Sequence, residues 1–218
     1  MRTKLTRVLV FALTIGFMGA AQAGIISAGE YTDDAAFSAV TGAVSLTGPL
    51  PDIGNQGLSV TLGDATLTAA NNIFVGAGWS TLLPNKRAIA ISGLENLSIS
   101  IDTGEATAFG WYFHEPVSSE AMLDGCNATC VDSTFLIEFL SGGISVDSIN
   151  FNPADDRVIF LGIILDMVFD EVTFTEIVGG IDNEFWGEMF VARVPEPGTL
   201  GLLGAGLIGL AWRRRRAA

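Results

Sequence analysis

The chain contains one histidine, His114, and two cysteines, Cys126 and Cys130, so its options for covalent chemistry are few. His114 lies in Phe113-His114-Glu115-Pro116. It would have to be the general base of any Ser-His-Asp hydrolase, because imidazole is the side chain whose ordinary pKa is near neutrality. No Gly-x-Ser-x-Gly elbow supplies a nucleophile. We therefore predict no catalytic residue and read His114 as a strand-end histidine bonded to a neighbour. Paired carboxylates suit glycoside hydrolysis, but so acidic a chain always offers some pair, and the pattern decides nothing. Asp182 and Asn183, with Glu184, follow Gly179-Gly180 and are hard-oxygen ligands of the kind calcium takes. The same residues also make an Asx turn before Phe185, the reading favoured here. Asp155-Asp156 is a weaker calcium candidate. Cys126 and Cys130 are too few for zinc with a single histidine; in an oxidising compartment they close a small loop as a disulfide. Trp79, Trp111, Tyr112 and Trp186 suit either a sugar-stacking platform or a core, and we expect the core. Apart from a structural calcium, no cofactor is expected.

The elements that must position these residues read as short strands. Phe109, Trp111 and Phe113 alternate with Gly110, Tyr112 and His114, and Phe135, Ile137 and Phe139 alternate with Leu136, Glu138 and Leu140. Ile149 and Phe151, and Val172 and Phe174, repeat the pattern. Period-two alternation predicts strands with one buried face. Turns are expected at Asn71-Asn72, Leu83-Pro84-Asn85, Ser141-Gly142-Gly143, Asn152 to Asp156, and Gly179-Gly180. One short helix is predicted near the start, capped by Thr32, with Asp33 and Asp34 in its first turn and Ala36, Phe37 and Val40 on its apolar side. The fold class is all-β: an antiparallel β-sandwich of jelly-roll type over residues 24–193, with that one helix.

Residues 24–193 hold four basic and 23 acidic residues, a formal charge of −19. Such a body repels phosphate backbones, which excludes nucleic acid as a partner.

Both ends of the chain read as export signals. Arg2, Lys4 and Arg7 precede the apolar run Val8 to Ala21, and Ala21-Gln22-Ala23 offers a cleavage site between Ala23 and Gly24. Residues 1–23 are thus expected to be a signal peptide, with signal peptidase as partner. At the other end, Pro195-Glu196-Pro197 leads into the uncharged run Gly198 to Trp212 and then Arg213, Arg214, Arg215 and Arg216. The prolines favour an extended recognition segment. The apolar run makes a transmembrane helix of about 22 Å, and the arginines form a cytoplasmic stop. Gly204 to Gly209 matches G-x-G-x-x-G, but the chain ends nine residues later, leaving no room for a nucleotide-binding βαβ unit. Gly201, Ala205 and Gly209 have the small-xxx-small spacing that lets another membrane helix approach.

This three-part tail, residues 194–218, resembles the PEP-CTERM sorting domain of Gram-negative bacteria. The resemblance implies a partner, the membrane protease-transpeptidase exosortase, that recognises Pro195-Glu196-Pro197 and removes the tail. It also implies transient anchoring in the inner membrane, then delivery to the cell surface or extracellular matrix of a cell that makes exopolysaccharide. The body is similar to a recurrent domain of such proteins at Trp79 to Pro84, Ala108 to Phe113 and Val178 to Phe185, which implies a jelly roll with no assigned ligand. The expected role is non-enzymatic, structural or adhesive. The alternatives are a module binding exopolysaccharide, which needs exposed aromatic residues on one sheet face, and a secreted hydrolase dependent on His114.

Overall fold

The computed structural model describes residues 24–29, 33–116, 133–153, 157–179 and 184–193. Residues 1–23, Thr32, Cys126, Cys130, Asp155, Asp156, Asp182, Asn183 and the tail 194–218 lie outside the described residues, and so do the expectations attached to them. Among the described residues, no helix is long and apolar enough to cross a membrane.

The fold is antiparallel β throughout, with one short α-helix. In chain order the elements are β1 Gly24–Gly29, α1 Asp34–Thr41, β2 Val44–Ser45, β3 Gly54–Leu62, β4 Ala65–Ala77, a 3-10 turn Pro84–Lys86, and β5 Arg87–Ile91. Then follow β6 Leu97–Ile101, β7 Ala106–Glu115, β8 Thr134–Ser141, β9 Ile144–Phe151, β10 Arg157–Phe169, β11 Glu171–Val178 and β12 Phe185–Arg193. The strands pair in the order β1-β10-β7-β12-β5-β4-β6-β11-β8-β9, with β3 beside β4 and β2 beside β12.

The long strand β4 makes this one sheet into a sandwich. Its residues 65–69 pair with β6 and its residues 73–77 pair with β5, so it belongs to both layers. Asn71-Asn72, expected as a turn, sits at the corner between these halves, inside the strand. The amide signal there is satisfied locally: Asn71 Nδ2 donates to the Leu94 carbonyl at 3.2 Å, and the Ser92 N–H donates to the Asn72 carbonyl at 3.0 Å. The other described turn signals make turns. Gly142 and Gly143, at φ 58° and 80°, link β8 to β9 in the left-handed conformation that a two-residue hairpin needs. Asn85 and Lys86 take positive φ beside Pro84.

The alternating residues meet between the layers. Phe109, Trp111 and Phe113 of β7 pack with Phe135, Ile137 and Phe139 of β8 and with Val172 and Phe174 of β11 in one core. The rings meet edge-to-face, as Trp111 does with Phe174 at 5.1 Å and Phe113 with Trp186 at 5.4 Å.

Strand β7 departs from the expected single buried face, because its residues are buried on both sides. The outer face of the second layer carries its own apolar cluster, with Phe37, Leu83, Tyr112, Phe160, Phe185 and Phe190. Helix α1 covers it through one side chain. Phe37 is 3 % exposed, whereas Val40, expected on the same apolar side, is 69 % exposed. The cap is also one residue later than expected: Asp33 accepts from the Ala35 N–H at 2.9 Å. Gly42, at φ 71°, ends the helix with its N–H on the Ser38 carbonyl.

The Phe37 ring lies on Gly110 and Gly162, which face each other across β7 and β10. A Cβ on Gly162 would stand 2.4 Å from Phe37 Cδ2, and one on Gly110 would stand 2.9 Å from Phe37 Cε1. The two glycines open a flat patch one ring wide, which is why a single phenylalanine anchors the helix. Gly162→Ala is expected to cost about 1–3 kcal/mol by overpacking this patch, read as a lower urea midpoint.

Candidate functional site

The sandwich has two ends of different chemistry. At the first, β7 finishes at Glu115, β8 is about to start at Ser133, β12 is about to start at Glu184, and the link from β5 to β6 carries Glu95. Three strand ends and one link thus deliver acidic or hydroxyl side chains to one place, and all four of these residues are at most 2 % exposed. Ser133 joins two of the acids: its N–H donates to Glu115 Oε1 and its hydroxyl to Glu184 Oε1, both at 2.5 Å. The Glu184 N–H donates to Glu95 Oε2 at 2.8 Å, and the Glu95 N–H reaches Glu176 Oε2 at 3.4 Å. Glu95 Oε1 and Glu184 Oε2 are buried without a hydrogen-bond partner among the described residues. Burial pushes the Glu184 carboxyl up to about 8, so it is a neutral acid at pH 7.

Next to this cluster, the one histidine has found a serine. Ser80 Oγ and His114 Nδ1 share a hydrogen bond of 2.8 Å, and the His114 ring stacks on Phe185 at 6.0 Å. The pair has the composition of a nucleophile and its base, but both residues are fully buried, which leaves a substrate no approach to the hydroxyl. Ser80 Oγ also accepts from the Leu83 N–H at 3.4 Å. The pair therefore holds the segment before the Pro84–Lys86 turn onto β7, as expected of a strand-end histidine bonded to a neighbour.

The expected aromatic residues are core. Trp111 and Trp186 are fully buried, Tyr112 is 4 % exposed, and Trp79 is half-buried against Phe74 at 5.2 Å. Burial raises the Tyr112 hydroxyl to about 12, with Asp34 contributing. No described aromatic residue is exposed. The outer face of the first layer is instead polar, with Ser59, Thr68, Ser98, Thr173, Glu138 and Ser148 following one another across six strands in register. A shallow groove of about 370 Å³ lies on it, lined in part by Thr68, Asn96, Ser98, Thr173 and Thr175. Among the described residues, no group of three or more His, Cys, Asp or Glu is arranged to hold a metal ion.

At the opposite end, β12 stops at Arg193, paired with Ala106 at the start of β7. The Arg193 guanidinium is bridged to Asp64, in the turn between β3 and β4. The Asp102 N–H donates to the Asp64 carbonyl at 2.9 Å, and Thr66 Oγ1 donates to Asp102 Oδ2 at 2.9 Å. Asp102 and Glu105, in the link from β6 to β7, are exposed beside it.

Sequence reasoning missed the Glu95-Glu115-Glu176-Glu184 cluster and the serine partner of His114. The one local signal was an acid, Glu115, closing an aromatic strand.

The sequence of residues 193–216 matches the PEP-CTERM protein-sorting motif. No curated protein matches the chain by sequence. Among solved structures, the chain is similar to a mutant of the family 29 carbohydrate-binding module CBM29-2, at 11 % identity over 71 % of this chain and 98 % of that one, with a TM-score of 0.39. It is also similar to the C-terminal family 22 carbohydrate-binding module of Clostridium thermocellum Xyn10B, at 11 % identity over 66 % of this chain and 97 % of that one, TM-score 0.37. A third likeness is to the catalytic domain of a GH87 α-1,3-glucanase, at 10 % identity over 69 % of this chain and 30 % of that one, TM-score 0.37.

Proposed function

Because the chain carries the PEP-CTERM protein-sorting motif at residues 193–216, we propose that it is an exported bacterial surface or extracellular-matrix protein, sorted and cut by exosortase, with a non-enzymatic structural or adhesive role. The observation that carries this reading is the junction between fold and motif. The last strand ends at Arg193, and Pro195 follows after one residue. The first strand begins at Gly24, directly after the expected signal-peptidase site. Both cuts would therefore spare every strand of the sandwich and remove only segments suited to membranes.

The non-enzymatic role is supported by the burial of His114 and Ser80, the pair closest to a catalytic arrangement. A calcium ion at Asp182 and Asn183 would shape the loop before β12 without doing chemistry. The Cys126–Cys130 disulfide would pin another loop.

Mass spectrometry of the native protein from its host tests the reading. The expected product begins at Gly24 and ends within or close to Pro195-Glu196-Pro197. Recovery of the chain with Met1 and Ala218 both in place overturns it.

A further inference from the structure

At the buried acidic end of the sandwich, carboxyl groups tie separate segments of the chain to one another. Glu115, at the end of β7, accepts from the Ser133 N–H, and Glu184 accepts from the Ser133 hydroxyl. The Glu184 N–H donates in turn to Glu95, in the link from β5 to β6, and the Glu95 N–H reaches Glu176 of β11. These bonds join residues 18 to 89 positions apart. Ser133 and Glu184 stand outside the ladders, one residue before Thr134 and Phe185, so their amides use carboxyl oxygens as acceptors where a strand would use carbonyls. Gly179 tightens the knot: a Cβ there would stand 2.1 Å from Glu176 Oε1 and 2.6 Å from Ser133 Oγ, so a third carboxyl shares the space of the serine.

The charges that meet here are lopsided. Glu95 comes from the β5–β6 link, Glu115 from β7, Glu176 from β11 and Glu184 from the start of β12. His114 precedes Glu115 and is bonded to Ser80, and Arg157 stands opposite Glu115 in the register of β10 with β7. Buried carboxyl groups in such company cannot all ionise, because each added charge meets its neighbours where water does not screen it. The closed knot therefore keeps a proton at neutral pH, in agreement with the raised Glu184 carboxyl. Parting the strand ends would place the same groups in water, where a glutamate loses its proton near 4.3. Glu95 Oε1 and Glu184 Oε2, buried without a hydrogen-bond partner among the described residues, would gain water as well.

We infer that this knot is a pH-sensitive latch: protonated, it holds the ends of β7, β8 and β12 together, and as the pH rises these ends part while the rest of the sandwich stays folded. The opening is local because the ties join strand ends and leave the ladders untouched. It uncovers Phe135, Phe185 and Trp186, which are fully buried one or two residues behind the tied positions. The latch goes beyond the sorting reading and does not depend on it. It is also distinct from a proton lost only on global unfolding, which would lower the stability of the whole domain and leave its end shut.

Amide hydrogen exchange of the full-length chain in detergent, from pH 5 to 8, tests the latch. With the exchange rate of an unfolded chain divided out at each pH, opening at the Ser133, Glu184 and Glu95 amides is expected to rise about tenfold per pH unit, as the release of one proton requires. The same amides are expected to stay level as urea is added below the unfolding transition, because a local opening exposes little surface. The Trp111 and Ile137 amides, in strands paired on both sides, give the global reference and should respond steeply to urea. In Glu184→Gln the three latch amides are expected to lose their pH dependence and stay protected at pH 8. In Glu138→Gln, on the outer face of the first layer, they are expected to keep it. Latch amides that are level across the pH range overturn the proposal. So do latch amides as sensitive to urea as Trp111, since their opening is then global unfolding; the wild-type profile decides this even where Glu184→Gln fails to fold. A folded Glu184→Gln chain that keeps the wild-type pH slope overturns it as well.

Discussion

The urea midpoint of this protein is expected to fall as the pH rises from 5 to 8, and Glu184→Gln is expected to remove about one proton's worth of that fall. An unfolded glutamate titrates near 4.3, whereas burial holds Glu184 at about 8 in the fold. Between these values the native state keeps a proton that the unfolded state has lost, so stability drops by about 1.4 kcal/mol per pH unit. The contribution is fully present below the unfolded value and is lost as the pH passes 8. Over the whole window this amounts to roughly 3–5 kcal/mol, a large share of a typical domain's 5–15 kcal/mol. Glutamine keeps an oxygen to accept from the Ser133 hydroxyl and carries no charge to bury. The variant should therefore have the higher midpoint at pH 8 and a shallower slope. A wild-type midpoint that is level from pH 5 to 8 would count against a neutral acid at this position. Glu115 accepts from the Ser133 N–H and Glu95 from the Glu184 N–H, so two further carboxyl groups crowd Glu184.

Trp111→Ala is expected to cost about 3–5 kcal/mol, and Trp111→Phe far less. Trp111 is fully buried at the centre of the sandwich, and its ring meets Phe109, Phe151 and Phe174 at 5.1–5.5 Å. Alanine leaves a cavity that the edge-to-face rings around it cannot fill. Phenylalanine keeps most of the apolar area. It also removes an indole N–H that is buried without a hydrogen-bond partner among the described residues, a group whose isolation costs about 1–3 kcal/mol. The two terms oppose each other, so urea unfolding followed by circular dichroism should show a clear separation between the variants. Equal losses would mean that the indole N–H is satisfied in the folded protein.

The strands were legible because their signal is local. Phe135, Ile137 and Phe139 are all fully buried, as their alternation predicts, and so are Val172 and Phe174 to within 1 %. Helix α1 was legible as a helix for the same reason. Its contact was not, because the partner of Phe37 is a pair of glycines on β7 and β10, and an absent side chain leaves no trace in a periodicity count. Asn71-Asn72 misled because the residues that favour a turn also favour a sharp bend inside a strand, and only the pairing of β4 with two different neighbours tells them apart. The acidic cluster was hidden more deeply. Glu95, Glu115, Glu176 and Glu184 span 89 residues in a chain rich in acids, and nothing in their spacing separates them from surface carboxylates.

The sequence by itself carries the match to the PEP-CTERM protein-sorting motif at residues 193–216. Such motifs are short and contiguous, so Pro195-Glu196-Pro197 and the run that follows are legible without any knowledge of the fold. Only the tertiary structure decided what the body does with its charges and rings. It sealed Trp111 and Trp186 in the core, gathered four distant glutamates at one end, and left Asp102 and Glu105 at the other beside the strand that leads into the motif. Burial and proximity are properties of strands brought together from far apart in the chain, and they set both the proton held by Glu184 and the acidic rim around Arg193.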